Sequence, residues 1–159
     1  MKMLQNSIVE PRPTSALLAE KERIWRVRLP EEFKQFIMLY NGGTPYEDTF
    51  FCKDDGREYA IERFLCILKD FRTNPFGCYD IDVIDAQIGE RLTDNGDLIG
   101  VDLLPIASTY SDFLCLDFRK DRTNPTVCIW SREESGDFDP VTYYVANSFN
   151  EFIRMLSAK

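Results

Sequence analysis

The chain has 159 residues, of which 44% are hydrophobic and 29% charged, a size and composition typical of one globular domain. Its formal net charge is −8, and the excess of acids lies in the second half: residues 1–80 carry 12 basic and 13 acidic side chains, whereas residues 81–159 carry 7 and 14. This balance opposes nucleic-acid binding, which requires neutralisation of phosphates, and no apolar run approaches the about 20 residues of a membrane helix.

Residues 14–28 predict a first helix, capped by Thr14 or Ser15. The second begins in the stretch LPEEFKQFIMLYNGG, residues 29–43, because proline is well tolerated at the first position of a helix. Phe33 and Ile37 fall on one face of that helix. The Asn-Gly-Gly that follows tolerates positive φ and predicts its end.

After the glycines, the spacing changes to that of strands. DTFFCK (48–53) and YAIERFLCIL (59–68) predict a pair of strands joined by a turn at residues 54–56. DIDVIDAQIGERL (80–92) returns to helical spacing, with its isoleucines on one side. The sequence therefore alternates between helices and strands within one domain.

The last part of the chain predicts four strands and a closing helix. The strands are LLPIA, FLCLDF, TVCIW and VTYYVA. Ser148 and Glu151 form an S-x-x-E capping box at the start of the helix SFNEFIRML, residues 148–156. This order predicts an α+β fold with a central, mainly antiparallel β-sheet flanked by helices. We treat residues 1–159 as one domain, with a core of about residues 14–157.

The sequence contains no histidine, which excludes Ser-His and Cys-His catalytic pairs and histidine metal sites. An enzyme would have to use carboxylate or tyrosine chemistry. The five cysteines form no C-x-x-C pair, and most lie in apolar runs, so we predict free, buried thiols: Cys52, Cys66, Cys78, Cys115 and Cys128. The N-terminus lacks the apolar core of a signal peptide. We expect a cytoplasmic protein that is not an enzyme and holds no metal or cofactor.

Acidic residues are densest between Asp80 and Asp117, where nine acids accompany a single base, Arg91. Such a surface attracts a basic protein partner and accelerates encounter, or it is simply a solvated face. Asp80, Asp82 and Asp85 also admit a metal or acid/base pair, although stabilisation of a helix N-terminus explains them equally. Trp130 is predicted to be core, whereas Trp25, which has arginines nearby, is either core or an interface anchor.

The assembled motifs resemble one family. LPEEFKQFIMLYNGG is similar to the leucine-proline, acidic, aromatic, asparagine-glycine segment of the SUKH superfamily, in its Smi/Knr-like branch. LLPIASTYSDFLCLDF (103–118) resembles its second signature, and TVCIWS (126–131) resembles the tryptophan strand that follows. VANSFNEFIRML (145–156) resembles its closing helix. The resemblance covers roughly residues 14–157.

The resemblance implies an α+β fold without catalytic residues. It further implies a bacterial immunity protein that binds and neutralises a toxin domain of the nuclease or deaminase type, or a regulatory or scaffold module of the kind tied to cell-wall synthesis and signalling. Charge density, rather than any family motif, supplies the candidate residues for binding a basic toxin domain: Asp82, Asp85, Glu90, Asp94, Asp97, Asp102 and Tyr110.

Overall fold

The computed structural model describes residues 1–158, which form a six-stranded antiparallel sheet and four α-helices. The helices are α1 (Ser15–Trp25), α2 (Glu31–Tyr40), α3 (Ile81–Ile88) and α4 (Phe149–Met155). The strands are β1 (Thr49–Cys52), β2 (Arg57–Phe64), β3 (Leu103–Thr109), β4 (Phe113–Asp117), β5 (Thr126–Trp130) and β6 (Thr142–Ala146). The predicted α+β class and antiparallel sheet are confirmed.

The strands lie in chain order, and the sheet curves until its two edges meet. At the free edge of β6, the Tyr144 amide donates a hydrogen bond to the Asp54 carboxylate at 2.9 Å. The Tyr144 carbonyl accepts one from the Cys52 thiol at 3.3 Å. Side chains from β1 and the turn after it thereby form hydrogen bonds with backbone groups that an edge strand would otherwise leave unpaired.

Helices α2 and α4 pack together on the sheet through aromatic rings. Phe33 and Phe149 meet edge to face with their ring centroids 5.2 Å apart. Phe36 contacts both Phe149 and Phe64 of β2, at 5.1 and 4.8 Å. Edge-to-face contacts of this kind add to the stabilisation from burying the rings. The predicted apolar faces of these two helices therefore form the centre of the core, and Trp130 is fully buried, as predicted.

Three predicted element ends were wrong. Helix α3 ends at Ile88 rather than at Leu92, and a 3₁₀ turn follows it. Helix α1 ends at Trp25 rather than near residue 28, because Arg26 adopts a left-handed conformation with φ of 54°. Strand β2 ends at Phe64 rather than at Leu68. Residues 65–68 are fully buried but lie beyond the end of β2. Cys66 forms a parallel bridge with Asp80 at the start of α3, and Val9 of the N-terminal segment packs with Cys66 and Leu68.

The buried segment 65–68 has a distinct partner for each backbone N–H group. Leu65 donates to the Ile106 carbonyl and Cys66 to the Tyr79 carbonyl, at 2.8 and 2.9 Å. Side chains satisfy the other two: Ile67 donates to Asn41 Oδ1 and Leu68 to Asp80 Oδ2, each at 2.8 Å. A buried amide without a partner costs about 1–3 kcal/mol, so these side chains make burial of the segment possible.

Asn41 also fixes the N-terminal segment. Its side-chain amide donates to the carbonyls of Val9 and Pro11, at 3.2 Å in each case. Gly42 follows with a φ of 73°, and a Cβ placed on it would lie 3.2–3.3 Å from Cys66, Phe64 and Val9. The Asn-Gly pair therefore ends α2, as predicted, and also joins three segments of the chain.

We expect Asn41→Ala to lower the free energy of unfolding by about 2–4 kcal/mol, because it leaves the buried Ile67 amide and two carbonyls without partners. Urea denaturation followed by tryptophan fluorescence measures the change. Asn124→Ala, at an exposed asparagine, is the matched control and should shift stability by about 0.5 kcal/mol or less. Equal effects of the two substitutions would contradict the role given to Asn41.

Candidate partner-binding surface

Helix α3 is positioned by Asp80, which is buried at its N-terminus. One carboxylate oxygen accepts from the Asp82 amide at 2.8 Å as an N-cap, while the other accepts from Leu68. Burial raises the pKa of Asp80, and its backbone hydrogen bonds oppose that shift. Stabilisation of a helix N-terminus, one of the two explanations considered for Asp80, is therefore confirmed. The apolar side of α3, with Ile81 and Ile84, packs inward and leaves its other side to solvent.

Asp82 is occupied within the fold. Its carboxylate pairs with Lys21 at 2.5 Å and accepts from Trp25 Nε1 at 2.9 Å. These contacts tie α1 to α3. Trp25 is only 4% exposed, so it belongs to the core and is not an interface anchor.

Asp102 is also occupied within the fold, since only 4% of the residue is exposed. It pairs with Arg122 at 2.9 Å and accepts from the Thr93 hydroxyl at 2.6 Å. A carboxylate that deep requires such partners, because burial of an unpaired charge is very unfavourable. Neither Asp82 nor Asp102 presents a free carboxylate to a protein partner.

Three of the candidate acids lie exposed beyond the end of α3. Glu90 is in a single 3₁₀ turn that continues the helix, and Asp94 and Asp97 are in the loop that follows. The base that lies between them in the sequence, Arg91, is held by the fold: its guanidinium lies 5.1 Å from the Trp130 ring and donates to backbone carbonyls of residues 132 and 135. A second base, Arg26, donates to the Asp97 backbone carbonyl at 3.0 Å. Among residues 1–158, the carboxylates of the three exposed acids form no ion pair.

The β5–β6 loop brings two further residues, Asp137 and Phe138, to the region of the exposed acids. The amide of Phe138 donates to the Glu90 carbonyl at 2.7 Å, and this holds the loop against the 3₁₀ turn. Phe138 has a φ of 55° and is 43% exposed, and its ring lies beside Gly96, one residue before Asp97. Ile99, two residues after Asp97, is 41% exposed. We call Glu90, Asp94, Asp97 and Asp137, together with Ile99 and Phe138, the acidic face. Sequence reasoning missed Asp137 and Phe138, although the run GDFDP combines acids with an aromatic residue.

A groove of about 400 Å³ opens between α3 and the acidic face, and Asp85 lines it with Glu90, Ile99 and Asp137. Within the described residues, Asp85 Oδ1 is buried without a hydrogen-bond partner. Burial, reinforced by the nearby negative charge of Asp82, raises the pKa of Asp85 to about 6. Asp85 therefore carries a carboxylate that the fold leaves uncompensated.

Tyr110 lies at the turn between β3 and β4 and is 77% exposed. It lines a second groove, of about 350 Å³, whose wall includes Ile84 and Phe113. Gln87 of α3 lines both grooves, so the Tyr110 groove and the Asp85 groove are neighbours along the helix. The structure thus brings Asp85, Glu90 and Tyr110 to one side of the molecule.

The cysteines, the possible metal ligands and the helices complete the description of the chemistry of the fold. All five cysteines are free, with only Cys78 exposed, as the sequence predicted for most of them. Among residues 1–158, no group of three or more cysteine, aspartate or glutamate side chains is arranged to hold a metal ion. In the same range, no helix has the length and apolar character needed to cross a membrane.

Comparison with known families gives one assignment. The model of the SMI1 / KNR4 family (SUKH-1) matches residues 12–155, nearly the whole fold. The chain belongs to this family. Proteins with SUKH domains are protein-binding modules and are generally not enzymes. No curated protein matches the sequence.

The two kinds of acid in this SUKH domain should respond differently to truncation. We expect Asp102→Ala to lower the free energy of unfolding by about 2–3 kcal/mol, because Arg122 and Thr93 lose their buried partner. Asp94→Ala, at an exposed acid, should change it by about 0.5 kcal/mol or less. Chemical denaturation of both variants tests the distinction, and a tolerated Asp102→Ala would refute it.

Asp85 should make stability depend on pH. Its pKa is raised to about 6 in the fold, so the unfolded state releases its proton first, and stability falls as pH rises from about 4 to about 6. We expect Asp85→Asn to stabilise the protein by about 1–2 kcal/mol at pH 7.5 and by much less at pH 4. Thermal denaturation across this pH range measures the effect, and a gain independent of pH would show that burial of the charge is not the cause.

Proposed function

We propose that this SUKH domain is an immunity protein that binds and neutralises a basic toxin domain through the acidic face. Family membership supports a role in protein binding. The neutralising role is our inference from the family resemblance and the charge of the chain. A toxin that acts on nucleic acid needs a basic cleft to hold phosphates, and an acidic protein surface complements such a cleft.

The observation that carries the proposal is the set of acids without basic partners. No ion pair within residues 1–158 involves Glu90, Asp94, Asp97 or Asp137. Arg91, the nearest base in the sequence, is turned onto Trp130, and Arg26 donates to the Asp97 backbone carbonyl rather than to a carboxylate. Uncompensated charge of one sign raises the rate of encounter with a partner of the opposite sign, especially at low ionic strength.

The apolar residues in the acidic face support a specific contact in addition to attraction at long range. Phe138 and Ile99 are exposed in the same region as the acids, and Ile99 lines the groove. Protein interfaces commonly bury a few aromatic or aliphatic anchors within a polar rim, and such anchors supply much of the binding energy. The acids would therefore set encounter and register, while these two side chains contribute to the lifetime of the complex.

The first experiment is capture of partners by the tagged protein from its native lysate, with washes at low and then high salt and mass spectrometry of the eluate. We expect one basic partner with a nuclease-like or deaminase-like domain, released by salt. Coexpression with this SUKH domain should relieve the toxicity of that partner. Several signalling or wall-synthesis partners, or binding insensitive to salt, would instead favour the regulatory or scaffold function.

The triple variant Glu90→Lys, Asp94→Lys, Asp97→Lys should bind that partner at least about tenfold more weakly at low salt, and with less dependence on salt, because attraction becomes repulsion. The control reverses three exposed acids on other elements, Glu20, Glu32 and Glu47, and so carries the same net charge. Calorimetric titration compares the two variants. Equal losses would mean that net charge rather than the acidic face determines affinity.

A further inference from the structure

We propose that the partner contacts the exposed side of α3, with a lysine or arginine side chain in the Asp85 groove and an apolar contact in the Tyr110 groove. This inference rests on the proposed function and names the contact surface that it would use. The acidic face then forms one flank of the interface, and the β3–β4 turn forms the other.

The geometry of α3 supports this position. The helix buries its isoleucines and exposes Ala86 and Gln87 near its middle. Ala86 and Gln87 line the Asp85 groove, and Gln87 lines the Tyr110 groove as well. The small side chain of Ala86, next to the shared Gln87, lets another protein approach the helix closely at the Asp85 groove.

The chemistry of the Asp85 groove selects a cationic side chain. Asp85 shares the groove with Glu90 and Asp137. Arg91, the one base among the described residues that line the groove, is held on Trp130 by its hydrogen bonds and ring contact. Lys21 is paired with Asp82, one turn earlier, and not with Asp85. A lysine or arginine of the partner would supply the missing positive charge, and the aliphatic part of that side chain would pack against Ile99.

The Tyr110 groove has the opposite character. Leu65, Ile84 and Phe113 contribute apolar side chains to its lining. The Arg132 guanidinium at its rim lies 5.3 Å from the Phe113 ring and donates to the Ser111 carbonyl, so its position is fixed by the fold. Tyr110 stands exposed beside this groove and offers a ring with few rotamers to lose, as is common among interface anchors.

The test is calorimetric titration with the purified partner recovered by capture. Ala86→Trp places a large ring at the wall of the Asp85 groove and should weaken binding at least about tenfold, because it prevents close approach to α3. Ala19→Trp, at an exposed alanine of α1, is the matched control and should bind as the wild type does. Thermal denaturation of both variants checks that the fold is intact.

Asp85→Asn gives a second and independent test. The substitution removes the charge that would attract the cation, while burial predicts that it leaves the fold at least as stable as the wild type. We therefore expect about tenfold weaker binding at pH 7.5 from a protein that is more resistant to unfolding. A loss of affinity of this kind is not explained by poor folding.

The outcomes separate the two proposals. If the charge-reversal triple variant binds weakly but Ala86→Trp or Asp85→Asn binds as the wild type does, the proposed function stands and the α3 contact is overturned. If the wild type recovers no basic partner, the proposed function fails and the inference fails with it. Weakened binding by both α3 variants, with Ala19→Trp unaffected, supports the inference.

Discussion

Burial of residues 65–68 requires a partner for every backbone amide, and this requirement organises the surrounding structure. Leu65 still donates to β3 and Cys66 to Tyr79, but within residues 1–158 no backbone carbonyl serves the amides of Ile67 and Leu68. Asn41 and Asp80 supply those two partners, one from the end of α2 and the other from the start of α3. Because the second carboxylate oxygen of Asp80 caps α3, the side chain that allows the segment to be buried also fixes where that helix begins. The candidate surface on α3 therefore depends on a polar network in the core rather than on apolar packing alone.

The acids of the chain fall into two physical classes that charge density does not distinguish. Asp82 and Asp102 are held by a base and a second hydrogen-bond donor, which is what a carboxylate removed from water requires. Glu90, Asp94 and Asp97 are exposed and retain their hydration. Only the second class contributes a field that another protein would encounter. The net charge of the domain therefore overstates the charge available to a partner. The positions of the exposed acids determine on which side of the molecule the negative field is strongest.

Elements whose formation depends on residues nearby in the sequence were predicted well. The apolar spacing of α2, the capping box of α4 and the strand pattern of β5 needed only local information, and each element is present. Errors and open alternatives arose where distant residues decide the outcome. The sequence left open whether Trp25 is core or an interface anchor, and it is buried with its indole N–H donating to Asp82, far along the chain. Phe138 joins the candidate surface because its amide meets the Glu90 carbonyl, a contact with no signature in either segment.

Several unfavourable local features meet around the Asp85 groove. Asp85 is desolvated without a cation, Phe138 adopts a positive φ, and Gly100, with a φ of 82°, lies so close that a Cβ on it would be 3.0 Å from Asp85 Oδ2. Elsewhere, as at Asp102, this fold compensates a buried carboxylate from within. Local strain and uncompensated charge persist where surrounding structure is firm enough to hold them, and they concentrate at functional sites. Here the firm structure is α3, fixed by Asp80, and the missing compensation lies on the side that faces solvent. A partner that placed a cation there would pair with the desolvated Asp85 carboxylate. The free energy that burial of this charge costs the isolated domain would then favour binding at the groove.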